Sequence, residues 1–264
     1  VPRVIANADN LNELNANFAQ KALQRPVFLN SVPKSGTHLL RNIVRMFVPV
    51  EQQYHDTFIQ HPVLRQNLRA FSANGPKLSW GHLLFSDDAS IVLKKVHHLL
   101  LVRDPYDWVL ARARFFLSDN FEAELDHLKN GNAPIDAILN MMIFGIHQKV
   151  PALWDIYTHN CVSWLGTSAQ IIKYEELTGH CRNLATPEAE TYFRDLFAKC
   201  GMDHLPEDWR ERVEIGSDRK KSGTARENLK SDGGAANIPD ELPDIQKRLV
   251  DYAAPGLRTL LGYA

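Results

Sequence analysis

Residues 26–47, PVFLNSVPKSGTHLLRNIVRMF, decide how this chain folds. The first part, 26–32, is an apolar run of strand length. The last part carries Leu39, Leu40, Ile43, Val44 and Phe47 at the three- and four-residue spacing of a helix face. Between them, Val32-Pro33-Lys34-Ser35-Gly36-Thr37 forms a tight turn from strand to helix. Gly36 lets the backbone approach an anion closely, Ser35 and Thr37 offer hydroxyls, and Lys34 brings a full charge. A helix starting near Thr37 adds unclaimed N–H groups and the positive end of its dipole. The segment therefore reads as a cradle for phosphate or sulfate. A Walker A loop needs its lysine after the last glycine; here the lysine precedes it, which disfavours an ordinary ATPase or kinase loop.

Working outward, 77–80 (KLSW), 98–102 (HLLLV) and 169–174 (AQIIKY) read as further strands. After the third strand comes a clean helix start. Asp104 suits the N-cap, Pro105 the first turn, and Asp107 the positive end of the dipole. Helical patterns run from 105 to 158, with starts at Pro134 and Pro151, and again over 187–200 and 206–214. Residues 8–23 read as a polar helix and 218–237 as a polar, Gly-rich loop. A last helix spans 241–262, interrupted at Pro255. Continuous apolar strands, each followed by a helix, predict an α/β protein, a three-layer α/β/α arrangement with a central parallel sheet. We expect one domain over 1–264, with 1–25 as an N-terminal helical extension. Ligands of such sheets bind beyond the carboxyl ends of the strands. Lys34 and Arg103 each lie just past such an end, so both can face one crevice.

Bulk composition narrows the function classes. The 264 residues include 30 basic and 31 acidic ones, so no global field draws the chain to nucleic acid or anionic lipid. No nucleic-acid partner is expected, and any anion site must be local. The three cysteines, Cys161, Cys181 and Cys200, form no CxxC pair and read as thiols in a reducing compartment. No cluster of Asp, Glu, His or Cys has metal-ligand spacing, so no metal is expected. Apolar runs fall far short of a membrane span, and a cytoplasmic protein is the expectation.

The PKSGT turn resembles the 5'-phosphosulfate loop of sulfotransferases that use 3'-phosphoadenosine 5'-phosphosulfate (PAPS). Leu99-Leu100-Leu101-Val102-Arg103-Asp104-Pro105 resembles the 3'-phosphate motif of the same family. Arg219-Lys220-Lys221-Ser222-Gly223-Thr224 resembles its basic glycine loop. The order of these segments matches the family, as do Lys173-Tyr174-Glu175-Glu176-Leu177 and the closing Leu260-Leu261-Gly262-Tyr263. The resemblance implies the P-loop NTPase-like sulfotransferase fold, PAPS as donor and adenosine 3',5'-bisphosphate (PAP) as product. It implies that Lys34 contacts the bridging oxygen and that Ser35, Gly36 and Thr37 hold the 5'-phosphate, with His38 also in the cofactor site. Arg103 would take the 3'-phosphate, with Arg219, Lys220, Lys221 and Gly223 as a third grip and Tyr174 near the adenine. Two positions depart from the pattern. His38-Leu39 replaces the usual Thr-Trp, and Ala111 replaces a phosphate-binding serine, leaving Arg112 and Arg114 as the nearest substitutes.

Sulfuryl transfer to a hydroxyl or amine requires a proton to leave the acceptor, and histidine suits that task. Eleven histidines compete. His82, in Trp80-Gly81-His82-Leu83, follows a strand and matches the family's Thr-His-Leu base. His97 and His98 sit at the start of a strand, on the wrong end for the crevice, and His55 and His61 flank an expected acceptor segment. Some carbohydrate-acting relatives use a glutamate base instead. Segments 50–75 and 115–150 are expected to shape the acceptor site, with Tyr54, Phe58, Phe71, Phe115, Phe116, Met141, Met142 and Phe144 hinting at an apolar acceptor. A small molecule or a glycan fits, and a homodimer is left open. A nucleotide or nucleoside kinase and a non-catalytic PAP-binding relative are the competing readings.

Overall fold

The computed structural model describes residues 3–4, 8–118, 121–122, 125–129, 131–221 and 237–263, with 3, 4 and 122 described by backbone alone. Its strands are β1 (Arg3–Val4), β2 (Val27–Ser31), β3 (Ile59–Gln60), β4 (Leu78–His82), β5 (His97–Val102), β6 (Phe121–Glu122) and β7 (Gln170–Lys173). The helices are α1 (Leu11–Asn15), α2 (Thr37–Arg45), α3 (Asp87–Leu93), α4 (Pro105–Phe116), α5 (Ile135–Phe144), α6 (Leu153–Asn160), α7 (Tyr174–Arg182), α8 (Pro187–Lys199), α9 (Trp209–Ser217), α10 (Asp244–Ala253) and α11 (Leu257–Leu260). The chain divides into two compact units, one of Asp9–Val102 with His159–Ser222, the other of Val1–Ala8, Arg103–Thr158 and Gly223–Ala264.

The first unit holds a parallel sheet of order β3-β4-β2-β5-β7. This is the three-layer α/β/α architecture expected from the sequence. Strand β2 is buried along its whole length, which is why it reads as an apolar run rather than an alternating one. Its odd residues, Val27 and Leu29, point to the face where α2, α8 and α9 pack, in a core with Leu40, Ile43, Phe193 and Val213. Its even residue Phe28 points the other way, where its ring meets Phe71 and His98. From β2 the chain moves to β3 and β4 on one side and then crosses to β5 on the other, so the strand order reverses at β2. A crevice for ligands opens beyond the carboxyl end of such a strand.

The N-terminal segment departs from expectation. A helix over 8–23 is predicted, and only Leu11–Asn15 is helical. Tertiary bonds hold this segment in place of a longer helix. The Asn15 amide donates to the Val48 carbonyl at 3.1 Å, and the Gln20 amide to the Met46 carbonyl at 3.2 Å. Arg212, buried and paired with Asp208 at 2.6 Å, donates to the Ala19 carbonyl at 2.8 Å. Buried Arg45 is held by Asp9 at 3.0 Å. Residue Tyr174, expected to end a strand, instead starts α7.

In the second unit, α4 packs against α5, and α5 against α10. The helix start at 104–105 forms as expected. Asp104 Oδ1 accepts from the Tyr106 N–H at 2.9 Å, and Pro105 occupies the first turn. Beyond Ala253 the last helix resumes as Leu257–Leu260, interrupted around Pro255 as its sequence predicts. Short strands β1 and β6 pair antiparallel.

Candidate active site

The site grows from the carboxyl ends of β2 and β4. Strand β2 ends in two buried polar residues, Asn30 and Ser31, within an otherwise apolar run. The Asn30 side chain imitates a neighbouring backbone. Its Oδ1 accepts from the Leu83 N–H at 2.9 Å, and its Nδ2 donates to the Leu83 carbonyl at 3.1 Å. This clamp fixes the chain at the end of β4, next to His82. Ser31 then orients the imidazole itself. The Nδ1 atom of His82 lies 2.9 Å from the Ser31 carbonyl and 3.0 Å from its Oγ. A carbonyl can only accept, so Nδ1 carries the hydrogen and the Nε2 lone pair is left for chemistry. Ser31 Oγ also meets Thr37 Oγ1 at 2.7 Å, which ties the histidine to the first residue of α2.

The turn between β2 and α2 has the shape of an anion cradle. Lys34 and Gly36 both take left-handed backbone, with φ of 69° and 96°. No side chain caps α2, and the N–H groups of Gly36, Thr37 and His38 make no hydrogen bond among the described residues. Ser35 Oγ is buried with no hydrogen-bond partner there. A buried hydroxyl left unpaired costs about 1–3 kcal/mol, which a bound anion would recover. Tyr174, at the start of α7, lies directly on Gly36. A Cβ at that glycine would stand 2.5 Å from the ring's Cδ2.

The electrostatics match this geometry. Burial pulls the Lys34 ammonium down to about 7. His82 is lowered to about 3, by burial first and then by the charge of Lys34. His38 is lowered to about 4, by burial and then by Arg41 and Lys34. Both histidines are therefore neutral near pH 7.

A cluster of rings flanks His82. Alternation along β4 puts Leu78, Trp80 and His82 on the face toward α2. The Phe58 ring, one residue before β3, meets His82 at 4.7 Å and Trp80 at 4.9 Å. Trp80 also meets His38 at 5.1 Å, and the Arg41 guanidinium lies over its ring at 4.2 Å. Gly81 permits this arrangement, because a Cβ there would collide with the Ile59 carbonyl of β3. Of the expected acceptor-site aromatics in 50–75, Phe58 reaches His82. Tyr54 and Phe71 are core residues, the first bonded to Asn67 at 2.6 Å and the second packed on Phe28.

The remaining candidates fall elsewhere. His97 and His98 stand at the amino end of β5, paired with Val27 and Phe28. His98 is buried against Trp164, and His97 lies against Gly201. Arg219, Lys220 and Lys221 form a short turn after α9. The Lys221 ammonium donates to Asn10 at 2.7 Å and its carbonyl accepts from Asn42 of α2 at 3.4 Å. Gly223 lies outside the described residues. In the second unit, Arg103 follows β5 directly and its carbonyl accepts from Tyr157 at 2.7 Å. Asp104 pairs bidentately with Arg258 at 2.9 and 3.0 Å. Both basic residues suggested as substitutes near Ala111 have partners in their own unit. Arg112 is buried and donates to the Met142 and Pro151 carbonyls, each at 2.8 Å, while Arg114 donates to the Pro239 carbonyl at 2.6 Å.

Among the described residues, no group of three or more His, Cys, Asp or Glu is placed to hold a metal ion, and no helix is long and apolar enough to cross a membrane. No protein-family model matches the chain, and no curated protein matches it in sequence. Its structure is similar to the crystal structure of mouse sulfotransferase SULT7A1 complexed with PAP. The TM-score is 0.57 at 16% identity, over 96% of this chain and 92% of that chain. The fold is that of a sulfotransferase.

Proposed function

We propose that this protein is a sulfotransferase that moves a sulfuryl group from PAPS to a hydroxyl, or an amine, of an acceptor. The observation that carries this reading is the joining of an anion cradle to a neutral histidine through Ser31, with hydrogen bonds of 2.7 Å to Thr37 and 2.9 Å to His82. The similar sulfotransferase was solved in complex with PAP, which supports a nucleotide of this kind as the ligand here.

PAPS supplies an activated sulfuryl group and leaves as PAP. The cradle N–H groups, the Ser35 and Thr37 hydroxyls and Lys34 would hold the 5' end. The basic turn from Arg219 to Lys221 would hold the 3'-phosphate, to which the resemblance also assigns Arg103, and Tyr174 would lie near the adenine. His82 Nε2 takes the proton of the acceptor while Nδ1–H stays on the Ser31 carbonyl, so the ring keeps its orientation as it becomes charged. Lys34, half charged at neutral pH in the absence of an anion, becomes fully charged beside a phosphate. Its ammonium then stabilises the negative charge that develops on the departing group. His82 gains basicity at the same moment, because an anion beside Lys34 cancels the positive field that depresses it.

A transfer assay with sulfur-labelled PAPS across phenols, sterols, sugars and peptides tests the reading directly. Lys34→Ala and His82→Ala should each lower turnover by about 100-fold or more while leaving the fold intact. PAP should raise the melting midpoint far more than AMP or ATP, because a ligand of the native state stabilises by mass action. Equal shifts from all three would remove the case for a 3'-phosphate site, and magnesium-dependent ATP turnover would favour the kinase reading. PAP binding with no transfer to any acceptor would favour a non-catalytic relative.

A further inference from the structure

Arg41 stands out among the charged groups near the site. It lies on α2, one turn after Thr37, with its guanidinium over the Trp80 ring at 4.2 Å. Among the described residues it has no hydrogen-bond acceptor and no carboxylate within ion-pair distance. The nearest acid that acts on it, Asp9, is already held by Arg45 at 3.0 Å. Asp56, on the following loop, is paired with Arg69. Burial lowers the Arg41 guanidinium to about 10, and the neighbouring Arg45 adds to the effect. A guanidinium partly withdrawn from water without a counter-ion is destabilising by itself, and an arriving anion relieves that cost.

The rings define where such an anion would come from. A continuous line of contacts runs from His82 to Phe58, from Phe58 to Trp80, and from Trp80 to Arg41. The base stands at one end and the Arg41 guanidinium at the other. The phosphate cradle is a separate place. The cradle is built at Gly36–His38, and Arg41 stands one helical turn farther along α2, about 6 Å from Thr37 along the axis.

We propose that Arg41 and Trp80 form an acceptor subsite for an anionic group, such as a carboxylate, on the molecule whose hydroxyl meets His82. Phe58 and Trp80 supply the platform for the ring between the two groups. The favoured acceptors are therefore hydroxylated rings that already carry a negative charge, such as an acidic phenol or an acidic sugar. This inference rests on the sulfotransferase reading for what happens at His82, but the subsite is tested by binding alone.

The test is calorimetric binding to the whole chain saturated with PAP. Two matched pairs serve as probes: 3-(4-hydroxyphenyl)propionate against its amide, and 4-nitrophenyl glucuronide against the corresponding glucoside. In at least one pair the acid should bind about tenfold tighter than its neutral partner, the scale of a hydrogen bond to a charged group. Arg41→Gln should bring acid and neutral probe level while leaving PAP affinity within about twofold, and Arg41→Lys should keep part of the preference. No preference for the acid in either pair overturns the proposal, and so does a loss of PAP affinity in Arg41→Gln that equals the loss for the acid. The comparison on the unaltered protein decides the matter even if a variant fails to fold. Preference for the acid without any sulfuryl transfer would leave the subsite standing and remove the function proposed for His82.

Discussion

Gly36→Ala is the substitution whose cost the structure specifies best. The glycine sits at φ 96° and ψ 28°, in the left-handed region. An alanine held there costs about 1–2 kcal/mol from its own Cβ against the backbone. That Cβ also stands 2.5 and 2.6 Å from two ring carbons of Tyr174, closer than any real contact. Tyr174 is packed against the main core, so the ring has little room to retreat. Overpacking of this kind adds about 1–3 kcal/mol, for a total near 2–5 kcal/mol. Urea unfolding of the single variants and of the pair Gly36→Ala, Tyr174→Ala separates the two causes. Without the ring, the glycine substitution should cost only its backbone share, giving a coupling of about 1–3 kcal/mol. The same cost in both backgrounds would mean that Tyr174 does not press on the turn. A cost below about 0.5 kcal/mol in the natural background would refute the left-handed cradle as well.

Two further outcomes follow from the charges. Lys34, lowered to about 7, should be driven to its ammonium form by an anion, so PAP binding above neutral pH should take up close to one proton. Calorimetry in buffers of different ionisation enthalpy measures this, and the same uptake in Lys34→Met would show that another group is responsible. His82, His38 and His98 are depressed from 6.5 to about 3, 4 and 4, so the unfolded chain binds protons that the native chain refuses. Their contribution is intact above 6.5 and is lost as pH falls toward 4, at up to about 1.4 kcal/mol per pH unit for each fully refused proton. His98→Phe, in a site lined by Phe28 and Trp164, should flatten the acid limb of a stability–pH curve, and an unchanged slope would contradict the burial of that ring.

The parallel sheet was legible because strands buried on both faces are written as unbroken apolar runs. The runs at 26–32, 77–80, 98–102 and 169–174 all carry strands, displaced by a residue or two at their ends. Strand β3 was not legible, since Ile59–Gln60 owes its strand to the edge of β4 rather than to any pattern of its own. The helix over 8–23 failed for a related reason: its Asn and Gln side chains are spent on distant carbonyls, and no local periodicity encodes that. The PKSGT turn could be read from chemistry alone, whereas the support around His82 could not. Asn30 and Ser31 did leave a signal, two polar residues inside a buried strand, and burial demands that such groups find partners. The stack of Arg41 on Trp80 left none, because it joins a helix to a strand some forty residues away in sequence.

Helix α2 has one more consequence. Its first turn forms the cradle, and its second is pressed by α9, where Gly216 lets the two backbones touch at Asn42 and Ile43. The chain leaves α9 through Arg219–Lys221, and Asn42 holds the Lys221 carbonyl. The spacing between the two basic segments is therefore set by a rod rather than by a string. From Gly36 to Asn42 that rod measures about 9 Å, and a helix does not stretch. One residue added within it would advance the far contact by about 1.5 Å and swing it through about 100°. On the function proposed above, the ligand's length would be gauged in whole helical steps, and a longer ligand would need a different helix, not a looser loop.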